Sequence, residues 1–420
     1  MFHGKRVWHA PRLPGTATSA GRLRAPATSI IERVTDLETR PAPPPRVGAV
    51  RRAAPALAGY AAVRAVGLVV LALWSAARGT SAHTLLTARW DALWYTRVAE
   101  LGYGYEVRLP NGDVHADLAF FPLLPWLERA GAALTPLSYA DAGLLVTTLA
   151  SLAAAWGIFA VAEHVYDRRV GVCAVLVWAA LPVGVVQSMA YSESLFTALA
   201  AWALYAVLTG RLVTAGLLAA PAGLTRPVGA AVVAAVWAAA LTSYVRDRRT
   251  RGGALSIRPA VGMLLAPLGA AGYVLWVGRR TGQGLLGYLD VQAGWRNGFD
   301  GGYAFARFIA GKFTSFPAAL AGVGLIAGVV LVLWLYGVGV RQRQPLPLLV
   351  YTGVVTALAL CASSYFGSKP RLLLPAFPLL LPLARALARI RLPRSAAILG
   401  TATAVSALYG AFWLNGSGPP

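Results

Sequence analysis

The sequence predicts an all-α polytopic membrane protein, and three observations carry that reading. Of its 420 residues, 57% are apolar and only 13% charged, with a mean hydropathy of +0.59. A water-soluble domain has about 45–50% apolar and about 25% charged residues, so much of this chain's surface faces lipid. Eleven apolar runs follow one another between residues 53 and 414, most of them near the roughly 20 residues that a bilayer-crossing helix needs. The 38 Lys and Arg, against 16 Asp and Glu, fall in short clusters between those runs. Membrane proteins carry positive charge in that way, whereas a nucleic-acid binder gathers it on one polar face. The lipid bilayer is therefore an expected partner and nucleic acid is not.

Taken in order, residues 1–52 are rich in Pro, Arg, Ser and Thr and hold ten basic and three acidic residues. This composition predicts a disordered cytoplasmic tail. A signal peptide would place its apolar stretch directly after a short basic region, but here the first long apolar run begins near Ala53. The runs then span 53–77, 141–163, 171–190, 195–209, 212–224, 228–245, 259–278, 315–338, 346–365, 371–388 and 395–414. The short pair 195–209 and 212–224 reads equally as a re-entrant hairpin, so the count of about eleven has a range of nine to twelve. Phe120–Leu137 is interrupted by Pro122, Pro125 and the Glu128–Arg129 pair and reads as an interfacial helix. Residues 53–414 form one membrane domain, followed by a short tail at 415–420. Cys173 and Cys361 each lie inside an apolar run, which fits packing rather than a disulfide framework or a zinc site.

Charge orients the helices. With the amino terminus inside, the cytoplasmic turns hold Arg168, Arg169, Arg211, Arg246, Arg248, Arg249, Arg251, Arg258, Arg341, Arg343, Arg385, Arg389, Arg391 and Arg394 beside three acidic residues, as the positive-inside rule requires. Most carboxylates fall on the other face, chiefly in two long loops, about 78–140 and 279–314. Long loops inside a compact domain are commonly functional, and these two are where chemistry is expected.

The first loop reads Arg89-Trp90-Asp91-Ala92-Leu93-Trp94-Tyr95 and continues to Arg97. Helical spacing puts Trp90, Trp94 and Arg97 on one stripe and Asp91 and Tyr95 on the next. The result is an aromatic interfacial helix with one carboxylate aimed from it, Asp91, about a turn beyond the first membrane helix. The alternative is an aromatic belt in which Asp91 merely pairs with Arg89 or Arg97. Farther on, His115 and Asp117 precede the aromatic, proline-rich run Phe120-Phe121-Pro122. The two would make only half a coordination sphere, so neither a metal nor another cofactor is expected. On the same face stand Tyr191-Ser192-Glu193-Ser194, Thr225-Arg226-Pro227 and Ser368-Lys369-Pro370-Arg371, each at a helix end. Ionisable residues at such depth mark functional sites by default. Together they supply a carboxylate able to act as general base and cations able to hold a phosphate.

Arg89-Trp90-Asp91 through Trp94-Tyr95, Ala99-Glu100-Leu101-Gly102-Tyr103, Ala119-Phe120-Phe121-Pro122-Leu123-Leu124-Pro125, Tyr191-Ser192-Glu193-Ser194-Leu195-Phe196, Thr225-Arg226-Pro227 and Lys369-Pro370-Arg371 resemble, in order, the PIG-V-like mannosyltransferases. That family includes the eukaryotic enzyme adding the second mannose of the GPI anchor, and bacterial relatives. The Ala, Arg and Gly bias fits a bacterium of GC-rich genome, such as an actinobacterium. The resemblance covers nearly all of 53–414, but not the basic tail or the stretch between Gly278 and Lys312.

It implies the GT-C architecture, an extracytoplasmic active site and a polyprenyl- or dolichyl-phosphate sugar donor, here mannose, in place of a nucleotide sugar. It also implies an acidic catalytic residue in the first outer loop, which by position is Asp91. The acceptor is then a lipid-linked glycan, a glycolipid or another extracytoplasmic molecule. Arg226, Lys369 and Arg371, with Arg89 as a fourth, are expected to meet the leaving phosphate. Glu193, His115 and Asp117 are expected to orient sugar hydroxyls or to replace Asp91 as base, and Trp90, Trp94 and Tyr95 to line the sugar or the lipid chain. No Gly-rich phosphate loop or Asp-x-Asp motif for a nucleotide sugar is evident. Two competing readings are a transporter or flippase of lipid-linked sugars, which broken helices would favour, and a non-catalytic scaffold of the same fold.

Overall fold

The computed structural model describes residues 46–251, 257–363, 365–416 and 418. Residues 1–45 of the expected tail lie outside the described residues, and its last seven, 46–52, already belong to the first helix. Helix α1 (Arg46–Ala77) leads into the first long loop, which is folded rather than irregular. It contains α2 (Ala82–Thr87), α3 (Asp91–Leu101), a hairpin of β1 (Glu106–Arg108) and β2 (Val114–Ala116), and α4 (Leu123–Leu134). The hairpin is antiparallel, with Val107 opposite His115.

The bundle continues through α5 (Tyr139–Val165), α6 (Arg168–Ala179), α7 (Ser192–Leu208), α8 (Leu212–Gly223), α9 (Ala230–Arg251), α10 (Ile257–Leu265) and α11 (Leu268–Thr281). The second long loop holds α12 (Gly287–Gly294), β3 (Gly298–Phe299) and α13 (Tyr303–Ala310). Then come α14 (Phe316–Arg341), α15 (Leu346–Cys361), β4 (Ala362–Ser363), α16 (Lys369–Leu372), α17 (Leu381–Arg389) and α18 (Leu392–Leu414). β3 pairs antiparallel with β4, tying the second loop to the end of α15.

Among the described residues, six helical spans are long and apolar enough to cross a membrane: α1, α5, α9, α10 with α11, α14 and α18. Two further apolar segments are bent, and three apolar helices, α7, α8 and α15, are shorter. Each of the eleven expected runs coincides with one of these elements. Two are not the continuous helices that the sequence suggested. The run at 171–190 turns by 88° between α6 and a 3-10 helix at Pro182–Ser188, and the run at 371–388 turns by 77° between Phe366–Leu372 and Phe377–Arg389. Pro182 and Pro378 stand at these bends, where a residue without an N–H cannot continue the ladder.

A break at membrane depth frees carbonyls that water does not reach. Arg64, in the middle of α1, answers the first break by donating to Gly184 O and Ala179 O. Gln187 donates to Trp178 O at 2.8 Å in the same turn. An arginine inside a transmembrane helix is costly unless it is paired in this way. Small residues let other helices close on one another: a Cβ on Gly157 of α5 would stand 2.8 Å from Ala201 Cβ of α7. α18 returns to pack along α1 and the 182–188 bend, so the last helix closes the bundle beside the first.

Candidate functional site

The site begins with an awkward piece of backbone. Ala92 N donates to Arg89 O at 3.2 Å, closing a turn with Trp90 at φ +50°, ψ −118°. These are the angles of the second residue in a type II′ turn, a place that glycine usually holds. A tryptophan there costs about 1–3 kcal/mol, which surrounding contacts have to offset. Its consequence is directional, because the chain reverses at Trp90 and Asp91 becomes the first residue of α3.

Four side chains then converge from four elements distant in sequence. Arg371, on the short helix α16, donates from Nη1 to Asp91 Oδ2 at 2.7 Å. Its Nε lies 3.3 Å from Glu193 Oε1, in the first turn of α7. Arg226, just beyond α8, places Nη1 2.6 Å from the same Glu193 oxygen. Arg226 Nη1 also donates to Ser192 Oγ at 3.1 Å, and the Tyr95 hydroxyl stands 2.7 Å from that oxygen. The Arg371 guanidinium lies 5.1 Å from the centre of the Tyr191 ring. Two carboxylates and two guanidiniums thus balance in charge. The side chains of Glu193 and Arg371 are 1% and 9% exposed and that of Asp91 is 25% exposed, so Asp91 is the carboxylate open to an incoming molecule. Asp91 and Glu193 both sit in the first turn of a helix, where the helix dipole favours negative charge.

An apolar groove of about 360 Å³ lies between α5, α7 and α8, lined by Val146, Ala150, Leu195, Leu199, Trp202 and Leu218 among others. It shares helix α7 with Glu193 but no lining residue with the charged cluster, and its walls are almost wholly apolar.

On another side stands an aromatic cluster. Trp94 stacks on Phe120 with centroids 5.4 Å apart, and Tyr95 meets Phe120 edge-on at 5.2 Å. Trp295, from the second long loop, meets Trp94 and Phe120 edge-on and donates from Nε1 to Ala116 O at 3.0 Å. His115 lies flat on Trp295 at 4.0 Å. Burial holds the Tyr95 hydroxyl well above the usual phenol range, with Arg226 pulling the other way.

The sequence-based candidates therefore divide. Asp91, Glu193, Arg226 and Arg371 meet, with Tyr95 joined to them through Ser192. Asp91 does not pair with Arg89 or Arg97, as the simpler alternative required. Arg89 donates to Leu414 O at 2.6 Å and Gly416 O at 3.1 Å, with its guanidinium over Trp90, and Arg97 lies 3.5 Å from the centre of the Tyr105 ring. The Arg89 side chain thus pins the end of α18, and among the described residues it forms no ion pair with Asp91 or Glu193, while its carbonyl accepts from the Tyr191 hydroxyl at 3.5 Å.

Lys369 departs from expectation too. Its Nζ donates to Ala359 O and Ala362 O, both at 2.8 Å, and lies over Phe305, so it caps the carboxyl end of α15. His115 and Asp117 do not form a pair. Asp117 Oδ2 accepts from Gly104 N at 2.9 Å and Tyr105 N at 2.8 Å, shaping the hairpin. Burial raises its pKa against those two donors. Trp94 belongs to the aromatic cluster, while Trp90 sets the turn. Ser192 stands in a motif that the sequence offered, without a role assigned to it. Trp295 was not readable at all, since nothing local says that it reaches His115.

No protein-family model matches the chain, and no curated protein matches it by sequence. Among solved structures it is similar to ArnT from Cupriavidus metallidurans bound to undecaprenyl phosphate, with TM-score 0.50 and 18% identity over 82% of this chain and 62% of that one. It is also similar to the Archaeoglobus fulgidus oligosaccharyltransferase in complex with zinc and sulfate, with TM-score 0.44 and 16% identity over 84% of this chain and 53% of that one. The chain thus spans under two thirds of the length of either. The fold is the all-α polytopic membrane fold of the GT-C type.

Proposed function

We propose that this protein is a membrane glycosyltransferase that moves a mannosyl residue from a polyprenyl-phosphate donor to a glycolipid or other extracytoplasmic acceptor. The observation that carries the reading is the meeting of Asp91, Glu193, Arg226 and Arg371. A lipid-phosphate sugar needs cations for its phosphate and a base for the acceptor, which meet here, and an apolar slot for its chain, a part that the groove between α5, α7 and α8 can play. The fold likeness to ArnT, whose structure holds undecaprenyl phosphate, and the motif resemblance to the PIG-V-like enzymes support the same donor class. The sugar rests on that resemblance alone.

In the proposed reaction Asp91 takes the proton of the acceptor hydroxyl as its oxygen attacks the anomeric carbon. The bond from that carbon to the phosphate oxygen breaks, the configuration inverts, and the lipid phosphate leaves with the electron pair. Arg371 and Arg226 face the negative charge that develops, commonly the largest catalytic contribution in such sites. Glu193 holds both guanidiniums in place. Lys369 and Arg89, engaged with backbone carbonyls, are left out of the phosphate contacts, and His115 and Asp117 act at most through the shape of the hairpin.

The bends at 88° and 77° favour a second reading, a flippase of lipid-linked sugars, because transporters place their sites at discontinuous helices. One experiment separates the two. Reconstituted protein is given labelled polyprenyl-phosphate-mannose and a membrane-glycolipid extract. Label in a new product, with free polyprenyl phosphate released, is expected. Intact donor moved across the bilayer without transfer would overturn the enzyme reading.

A further inference from the structure

At the end of the bundle opposite Asp91 there is a second cavity, of about 370 Å³, with a mainly polar lining. It lies between the end of α5, the start of α6 and the end of α17, and its walls include Tyr166, Asp167, Arg169, Arg385 and Arg389. Its volume falls within the roughly 300–1,000 Å³ of small-ligand sites.

The three arginines reach it from two helices. Arg169 donates from Nη2 to Ile390 O at 2.7 Å, fastening α6 to the end of α17. Arg385 lies over the Tyr166 ring at 5.2 Å from its centre, and the Tyr166 hydroxyl is itself anchored by donating to Gln342 Oε1 at 3.0 Å. Among the described residues none of the three arginines forms an ion pair. The lone carboxylate in the wall, Asp167, accepts from Val170 N at 2.9 Å as the cap of α6. Orienting a membrane protein needs positive charge at this end, but it does not need three guanidiniums around one cavity with a tyrosine as its wall.

We propose that this cavity binds the phosphate of an anionic phospholipid headgroup. Guanidiniums match phosphate oxygens in geometry and charge, and basic pockets between helices at the membrane surface take such headgroups. A lipid is favoured over a soluble phosphate because apolar Val165, Val170 and Ala388 share the wall with the arginines, at the ends of helices α5 and α17. The site is independent of the proposed transfer chemistry.

The test uses the full chain, purified in detergent and stripped of lipid, with native mass spectrometry and thermal melting as readouts. Phosphatidylglycerol, phosphatidylcholine and inorganic phosphate are added in separate arms. Retention of phosphatidylglycerol over phosphatidylcholine, with a higher melting temperature, is expected. Arg389→Gln, at a position whose side chain forms no ion pair among the described residues, should keep the fold and weaken that retention about fivefold. Arg385→Gln adds to the loss. Equal retention of both lipids, or a preference unchanged in Arg389→Gln and Arg385→Gln, would overturn the proposal. So would saturable binding of inorganic phosphate without lipid preference, since that assigns the cavity to a soluble anion.

Discussion

Arg371 Nη1 donates to Asp91 Oδ2 across 2.7 Å, although the two residues lie 280 positions apart. The contact joins the first long loop to the second broken span, and it places the candidate base against the same guanidinium that faces buried Glu193. Removing Arg371 therefore leaves two carboxylates short of a partner. Breaking a buried pair from one side costs about 3–5 kcal/mol, so Arg371→Ala is expected to lower stability by an amount of that order and to abolish transfer. Arg371→Lys should restore part of the stability with little of the activity, because an ammonium cannot face both carboxylates in the same fork. Melting and transfer assays on the two variants check this.

Lys369, two residues earlier, gives the opposite expectation. It satisfies carbonyls at the end of α15, and leaving such groups unpaired costs about 1–3 kcal/mol. Lys369→Met should melt earlier yet keep most of its activity per folded molecule. A stable Lys369→Met protein without transfer would return Lys369 to the phosphate contacts.

Trp295 couples the two long loops through His115, Trp94, Phe120 and Ala116 O. Trp295 is half-buried, so its truncation costs less than the about 3–5 kcal/mol of a fully buried aromatic. Trp295→Ala is expected to lower stability by less than that and to make the 284–302 segment faster to cleave in limited proteolysis, with cleavage elsewhere unchanged.

Glu128, on α4, is buried, and among the described residues neither of its carboxyl oxygens has a hydrogen-bond partner. Burial pushes its pKa up to about 9 from 4.5. A raised acid is protonated in the folded protein and ionised in the unfolded one between those values, so its contribution to stability is full below about 4.5 and lost as pH rises toward 9. Glu128→Gln should remove that slope, worth at most about 1.4 kcal/mol per pH unit. The variant's melting temperature relative to the wild type should rise from pH 5 to pH 8. A constant difference would mean that Glu128 is not held neutral.

Much of this was legible from the sequence, because lipid enforces simple rules. Every apolar run is a helical element, since a backbone in lipid must satisfy itself. Asp91, Glu193, Arg226 and Arg371 could be picked out because charge near apolar runs is rare enough to notice. What the sequence withheld was direction. Lys369 and Arg371 look alike two residues apart, but on the short helix α16 they point to different neighbours, one to α15 carbonyls and the other to Asp91. Arg89 beside Asp91 turned to α18 because the Trp90 reversal sends the two side chains apart. The breaks at Pro182 and Pro378 had a proline signal, but hydropathy averages across such a turn. Trp295 and His115 stack across two loops, a contact that no local pattern encodes.

If Asp91 is the base of a sugar-transfer reaction, Asp91→Asn removes the proton acceptor and little else. The variant keeps the shape of the side chain and a hydrogen-bond acceptor for Arg371, and is compared with the wild type at equal folded amounts, with labelled polyprenyl-phosphate-mannose and a glycolipid acceptor extract. A loss of about 100-fold or more in transfer, in the range that general-base catalysis supplies, with melting and donor binding retained, is the predicted result. Full transfer by a correctly folded Asp91→Asn protein would contradict it.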